Sequence, residues 1–170
     1  MIIKIRRLIL PALLISQMCF IFAMSSFGHN SSDAQSNLFV DFIAQNFPHI
    51  RHGLENNLIS LNTLIFLVRK TAHFTEYAIL GALFYLNVIQ IPKLNLYPKK
   101  ILLPIFFSFL YACTDEIHQI FVPGRSAQFR DVLIDTLGAS FGCLLIHALL
   151  TLFTRLKSNS NSNSKSKTQN

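Results

Sequence analysis

The sequence predicts an all-α fold: an integral membrane bundle of about four transmembrane helices, with interfacial helical segments in its first outer loop. Of 170 residues, 51% are apolar and only 14% are charged, whereas about a quarter of residues are charged in a typical soluble domain. The mean hydropathy is +0.42, and the apolar residues fall into long blocks. This composition excludes a disordered body and a disulfide scaffold. The net charge of +7 comes from Lys and Arg scattered between apolar blocks, so it does not indicate nucleic-acid binding.

The first predicted span runs from about Leu8 to Met24 and follows three basic residues. A cleaved signal peptide is the alternative, because Ala23 and Ser25 occupy the positions that a signal peptidase site requires. The apolar run continues through Phe20–Phe22, which makes it longer than a signal peptide needs. A retained helix is therefore favoured.

The connection to the second span is expected to contain helical segments that lie on the membrane. A polar stretch, Asn30–Asn37, is followed by apolar residues at Phe39, Phe42, Ile43, Phe47 and Ile50. Such spacing is typical of an interfacial helix, which Pro48 would end. Further along, Leu58, Leu61, Leu64, Ile65 and Val68 share one helix face, so this stretch is expected to be interfacial or re-entrant.

Three more spans follow, over about Thr71–Ile91, Ile101–Thr114 with a polar continuation to Gln119, and Asp131–Phe153. Residues 1–157 form the predicted membrane domain. Residues 158–170 are rich in Ser and Asn and are expected to be a disordered cytoplasmic tail. The three cysteines lie in apolar segments and are interpreted as small core residues: Cys19, Cys113 and Cys143.

The distribution of Lys and Arg predicts the orientation. With the amino end in the cytoplasm, ten basic residues lie inside: Lys4, Arg6, Arg7, Lys93, Lys99, Lys100, Arg155, Lys157, Lys165 and Lys167. Five lie outside: Arg51, Arg69, Lys70, Arg125 and Arg130. Because cytoplasmic loops are richer in basic residues, we expect a multi-pass protein of the cytoplasmic (inner) membrane with both termini in the cytoplasm.

Polar residues of three predicted spans meet at the expected outer end. The second span places Lys70, His73, Glu76 and Tyr77 on one face at helical spacing. The third span ends with Asp115, Glu116 and Gln119, and the fourth begins with Asp131 and continues to Asp135 one turn later. These residues, with Arg125 from the loop between the last two spans, form the predicted ligand-binding site.

Ionisable groups at membrane depth are costly and are therefore candidates for function. Snorkelling at helix ends explains Arg69 and Arg130, but it does not explain Glu76 or Asp135, which lie about a turn inside their spans. A structural ion-pair network is the alternative to a functional cavity. His147, in the other half of the fourth span, is interpreted as a packed, hydrogen-bonded histidine.

Two glycine patterns predict local geometry. Gly138 and Gly142 form a small-xxx-small pair that would let another helix approach closely. Pro123-Gly124 predicts a chain reversal, because Pro fixes φ and Gly accepts a positive φ. We expect this turn to hold Arg125 over the acidic helix ends.

The polar elements resemble the VanZ-like family. A K-x-x-H-F-x-E-Y element begins at Lys70, a D-E-x-x-Q element at Asp115 and a G-R-x-x-x-x-x-D element at Gly124. The resemblance extends over about residues 5 to 155 and implies a small membrane protein with several spans. Its namesake is associated with low-level resistance to the lipoglycopeptide teicoplanin. The family position that matches Asp135 is usually Asn, so this carboxylate is a departure from the pattern.

Two functions remain open from the sequence. The first is binding or shielding of a membrane lipid or lipid-linked envelope molecule, with basic residues meeting phosphate. The second is a membrane-embedded hydrolase or transferase acting on a lipid-linked phosphate or glycan, for which the catalytic candidates are His73, Glu76, Asp115 and Glu116. No cofactor is expected, and neither H-E-x-x-H nor a paired Cys/His spacing indicates a metal. Transport is disfavoured, because only His147 and Asn87 are polar in the inner half of the bundle.

Overall fold

The computed structural model describes residues 2–91 and 97–167, and the described chain is helical with no strand. Six helices follow in order: α1 Ile2–Ser25, α2 His29–Asn46, α3 Pro48–Glu55, α4 Leu61–Val88, α5 Tyr97–Gln119 and α6 Phe129–Lys167. This confirms the predicted all-α class. Large apolar side chains are exposed along α1, α5 and α6, as expected for helices that face lipid.

Three of the described helices are long and apolar enough to cross a membrane: Arg7–Ser25, Pro98–Gln119 and Phe129–Ser158. They correspond to the first, third and fourth predicted spans. The second predicted span lies in α4, where His73, Glu76 and Asn87 lower the hydropathy of an otherwise apolar helix. A fourth crossing by α4 stays a prediction.

Helices α4 and α6 pack with their backbones in close contact. A Cβ atom placed on Gly142 would lie 1.8 Å from the carbonyl oxygen of Ala78, and one on Gly138 would lie 2.3 Å from that of Phe74. On the opposite helix, a Cβ atom on Gly81 would lie 2.1 Å from the Ala139 oxygen. The predicted close helix approach at Gly138 and Gly142 is confirmed, and α4 contributes a third glycine to it.

The core joins α4 and α6 to α1 and α5. Its buried residues are Ile21, Tyr77, Leu80, Ala112, Val132 and Ala139. At the end of α4 near Val88, Asn87 Nδ2 donates to the Leu10 carbonyl oxygen over 3.1 Å. A 2.7 Å hydrogen bond also joins Tyr85 Oη and His147 Nδ1, as the interpretation of His147 as a bonded core histidine requires.

The segment between α1 and α4 is helical, as its spacing predicts. Pro48 follows the end of α2 and is the first residue of α3, where its missing N–H leaves no bond unmade. The apolar face that begins at Leu58 continues into α4, so most of it belongs to that long helix. Whether these segments lie on the membrane stays a prediction.

The end of α6 extends into the segment that was expected to be a disordered tail. The backbone of α6 is helical to Lys167, through most of the segment expected to be a disordered tail. The division of the chain at residue 157 stays a prediction.

Cys143 is buried and Cys113 is half-buried, but Cys19 is exposed, so the interpretation of all three as core residues is wrong for Cys19.

Candidate functional site

The polar residues of α4 face the first turns of α6. Lys70 Nζ donates to Asp131 Oδ2 in an ion pair whose side chains are each only 13% exposed. One turn deeper, His73 Nδ1 lies 3.8 Å from Asp135 Oδ1. The glycine contact between α4 and α6 sets this spacing, because it brings the two backbones together just below these residues.

Asp135 and Tyr77 are the deepest polar residues of the site. Both are completely buried. Within residues 2–91 and 97–167, no hydrogen-bond partner is found for either carboxylate oxygen of Asp135 or for the Tyr77 hydroxyl. A buried polar group without a partner costs about 1–3 kcal/mol, so such a group requires an explanation in strain, function or a bound water.

The acidic residues at the end of α5 connect three parts of the chain. Ser25 Oγ of α1 donates to Asp115 Oδ1 over 2.5 Å, and Gln119 Nε2 donates to Asp115 Oδ2 over 3.2 Å. Glu116 Oε2 accepts a 2.8 Å hydrogen bond from the backbone N–H of Gln128, just before α6. Asp115 and Glu116 therefore tie helix ends together. We call this end of the bundle, marked by Ser25, Gln119 and Asp131, the polar end.

The loop between α5 and α6 makes the predicted turn. Gly124 has a φ of 75°, and the Arg125 N–H donates to the Val122 carbonyl oxygen over 3.1 Å. These features match a type II turn with Pro123 and Gly124 at its centre. The turn also lies against the connection between α1 and α2, because a Cβ atom on Gly28 would be 3.2 Å from the Pro123 oxygen.

Arg125 lies near the acidic helix ends but makes its hydrogen bond elsewhere. Its Nε donates to the Phe27 carbonyl oxygen over 3.2 Å, and no ion pair joins it to an acidic side chain in the described part of the chain. The expectation that the turn holds Arg125 over the acidic helix ends stays a prediction, with Asp115, Glu116 and Asp131 close enough to act on the guanidinium. Burial lowers the pKa of the Arg125 guanidinium, and the nearby acids act in the opposite direction. The group stays cationic.

Arg125 instead lines a cavity of about 90 Å³ at the polar end. Arg69, His73 and Glu76 of α4 form one wall, and α2 forms another. The complete lining is Met24, Ser32, Gln35, Ser36, Phe39, Val68, Arg69, Ala72, His73, Glu76 and Arg125. One water needs about 10–15 Å³ of such space, so the cavity has room for several waters or one small polar headgroup.

The α2 residues of this cavity were missed by the sequence analysis. Ser32, Gln35 and Ser36 recur at a spacing of three and four residues, followed by Phe39, so they share one helix face. This spacing indicates a shared helix face, but it does not indicate that the face packs over α4. Ser36 Oγ donates to the Ser32 carbonyl oxygen over 2.9 Å and is buried.

The structure thus divides the predicted site residues into two groups. His73, Glu76 and Arg125 line the cavity. The others lie outside the cavity lining. Hydrogen bonds or ion pairs hold five of them: Lys70, Asp115, Glu116, Gln119 and Asp131. Tyr77 and Asp135 are buried without a hydrogen-bond partner in the described part of the chain. Within residues 2–91 and 97–167, no group of three or more His, Cys, Asp or Glu side chains is arranged to hold a metal ion.

A family model described as VanZ/LLP1 matches residues 10–154 of the chain. The chain belongs to the VanZ/LLP1 family. The match confirms the resemblance, and together with the apolar helices it identifies a membrane protein. No curated protein and no solved structure matches the chain.

The VanZ/LLP1 match includes every residue of the cavity lining and every predicted site residue outside it. Chemically, the cavity combines two guanidinium groups, an imidazole, a carboxylate and hydroxyl and amide donors. Such a set suits an anion that presents several oxygen acceptors, because each guanidinium can donate two parallel hydrogen bonds.

Proposed function

We propose that this protein acts at the outer face of the cytoplasmic membrane, where it binds or shields an anionic, lipid-linked molecule of the cell envelope. The observation that carries the proposal is the cavity of about 90 Å³ lined by Arg69 and Arg125. Guanidinium groups recognise phosphate through paired, charge-assisted hydrogen bonds. Ser32 and Ser36 of α2 add hydroxyl groups to the lining of this cavity.

The separation of charges at the polar end supports an anion as the ligand. The polar end has more acidic than basic side chains, which argues against anion binding if all of them are counted together. However, Asp131 is paired with Lys70, and Asp115 is bonded to Ser25 and Gln119, so neither faces the cavity. Glu76 is the carboxylate in the cavity lining, which also holds two arginines and a histidine.

The distribution of Lys and Arg supports an outer position for the cavity. In the predicted topology, ten basic residues fall on the side of the termini and five on the side of the polar end. By the positive-inside rule, the polar end would then face away from the cytoplasm. A protein that occupies a lipid-linked envelope molecule there would alter how an external lipoglycopeptide such as teicoplanin meets its target, and low-level resistance is the proposed consequence.

One observation favours a second candidate, a hydrolase or transferase. His73 lines the cavity together with the two arginines, and Asp135 lies 3.8 Å from its Nδ1 atom. If the two groups closed to hydrogen-bonding distance, the carboxylate would orient the imidazole. Nε2 could then remove a proton from a hydroxyl or water that attacks phosphorus while the bond from phosphorus to the leaving oxygen breaks and that oxygen takes up a proton. Arg69 and Arg125 would then stabilise the charge on the transferred group.

The binding proposal is tested with the full-length protein in detergent and glycerol 3-phosphate as a soluble headgroup probe. Arg125→Gln should weaken binding by at least tenfold, because a charge-assisted hydrogen bond contributes about 1.5–3 kcal/mol. Lys157→Gln, at an exposed position far along α6, is the matched control and should bind normally. In cells, normal membrane abundance with lost teicoplanin tolerance is expected for Arg125→Gln alone. Equal binding by both variants would refute the proposal.

The same preparation separates the two candidates. If the protein releases phosphate from a phosphomonoester, and His73→Asn abolishes release while glycerol 3-phosphate still binds, the enzyme is the correct description. If the unsubstituted protein releases no phosphate but binds glycerol 3-phosphate, the binding function stands.

A further inference from the structure

A second, larger depression adjoins the cavity and has a different character. It is a groove of about 590 Å³ between α1, α2 and α4. Most of its lining is apolar: Gln17, Phe20, Phe39, Ile43, Leu64, Leu67, Val68, Thr71, Ala72, Thr75, Glu76 and Ile79. It shares Phe39, Val68, Ala72 and Glu76 with the cavity, so the two adjoin along these residues.

We infer that the cavity and the groove together form one site for a phosphate-bearing lipid, with the phosphate in the cavity and one hydrocarbon chain in the groove. The inference rests on the proposed function and adds where the chain lies and how the lipid reaches the site. Because the groove is open along α1 and α4, the lipid would enter sideways from the bilayer.

The lining of the groove argues for a hydrocarbon chain. Phe20, Leu67 and Ile79 are each about half exposed, at 50%, 52% and 47%, and they face the space that a bilayer would fill. Polar groups occur at the border with the cavity, where Glu76 belongs to both. An amphiphile has this same division between a charged head and an apolar body.

Charge complementarity distinguishes a lipid from another helix as the occupant. A transmembrane helix in the groove would cover the apolar lining but would bring no anion to Arg69 and Arg125 at its end. A lipid phosphate meets both requirements in one molecule. Because the cavity and the groove adjoin, a lipid is the occupant that fits both.

The groove should orient the chain more than it raises affinity. Bilayer tails are as apolar as the groove lining, so a chain gains little when it moves from one to the other. The phosphate contacts would carry most of the affinity. The experiment must therefore locate the chain and not measure binding alone.

The test uses full-length protein in phosphatidylcholine vesicles that contain phosphatidic acid with a photoactivatable diazirine on one acyl chain. Diacylglycerol with the same labelled chain is the comparison lipid, because it lacks the phosphate. After illumination, peptides that line the groove should be labelled at least fivefold more by phosphatidic acid than by diacylglycerol. Groove labelling by both lipids at the same level would overturn the inference.

A matched pair of variants tests the groove directly. Thr75→Phe places a ring in the groove outside the cavity, at an exposed position whose hydroxyl bonds only to its own helix, through the Thr71 oxygen. Thr154→Phe is the control, since Thr154 is also exposed and its hydroxyl donates to Thr151 within α6. Groove labelling should fall at least threefold in Thr75→Phe and stay unchanged in Thr154→Phe. Both should bind glycerol 3-phosphate normally.

Failure of the inference can be told apart from failure of the proposed function. If Thr75→Phe does not change the labelling, or if labels spread evenly over all exposed helix faces, the chain does not lie in the groove. In either case, Arg125-dependent binding of glycerol 3-phosphate would still support the proposed function. Loss of that dependence would overturn both.

Discussion

The contact between α4 and α6 predicts a large effect from a very small substitution, Gly142→Ala. The new Cβ atom would lie 1.8 Å from the Ala78 carbonyl oxygen, whereas real Cβ atoms essentially never come closer than 3.0 Å to a neighbour. The two backbones would have to separate by about 1.2 Å to relieve the contact. A backbone oxygen cannot turn away as the end of a side chain can.

The magnitude follows from two opposing effects. Overpacking of this kind costs about 3 kcal/mol, and Ala is favoured over Gly in a helix by about 1 kcal/mol. The net loss of about 2 kcal/mol should lower the melting temperature by about 4–8 °C in a protein of this size. Separation of α4 from α6 would also lengthen the distance between His73 and Asp135, so glycerol 3-phosphate binding should weaken as well.

The assay is thermal unfolding of the purified protein in detergent, followed with a thiol-reactive dye. In a Cys19→Ser background, which removes the exposed thiol, the buried Cys143 becomes reactive when α6 leaves the bundle, so it reports on this contact. Gly53→Ala is the matched control, because the atom nearest to its new Cβ, at 2.6 Å, is the terminal Cδ1 of Ile59, which can move. Equal melting temperatures for the two variants would refute the reasoning.

Three further predictions concern other parts of the bundle. Tyr85→Phe removes the 2.7 Å hydrogen bond to His147 and should cost about 1 kcal/mol, read as a lower melting temperature in the thiol assay. Lys70→Met leaves the buried Asp131 with only the more distant Arg130, at 4.0 Å, and should cost up to about 3–5 kcal/mol, whereas the double variant with Asp131→Asn should regain much of that loss. If the double variant is no more stable than Lys70→Met, the pair is not the cause. Reporter fusions after residues 35, 95, 125 and 160 should read outside, inside, outside and inside, and an external carboxyl terminus would contradict the proposed orientation.

Features fixed by neighbouring residues could be predicted from the sequence. The turn at Pro123-Gly124 was predictable because its geometry depends on two adjacent residues. The close approach at Gly138 and Gly142 was predictable because two glycines one turn apart leave a flat helix surface, although its partner could not be named. Apolar block lengths predicted the helices in the same way.

Features that depend on packing between distant elements were not predictable. The turn was expected to hold Arg125 near the acids, but no sequence pattern indicated that contact with the chain near Gly28 would direct its Nε to the Phe27 oxygen. Nothing local to the turn encodes that contact. The role of Ser32 was missed for the same reason, since a polar stretch in a connecting loop gives no sign of which helix it will cover.

The hydrogen bond from Arg125 to the backbone of Phe27 has a consequence for the entropy of binding. Arginine has five N–H donors, and this bond uses the one on Nε, so the other four remain on the two terminal nitrogens. A free arginine side chain loses about 2 kcal/mol of rotamer entropy when it is fixed. Here folding has already met part of that cost. An anion that reaches the cavity would encounter a guanidinium fork that is preorganised, and its affinity would depend less on ordering the protein.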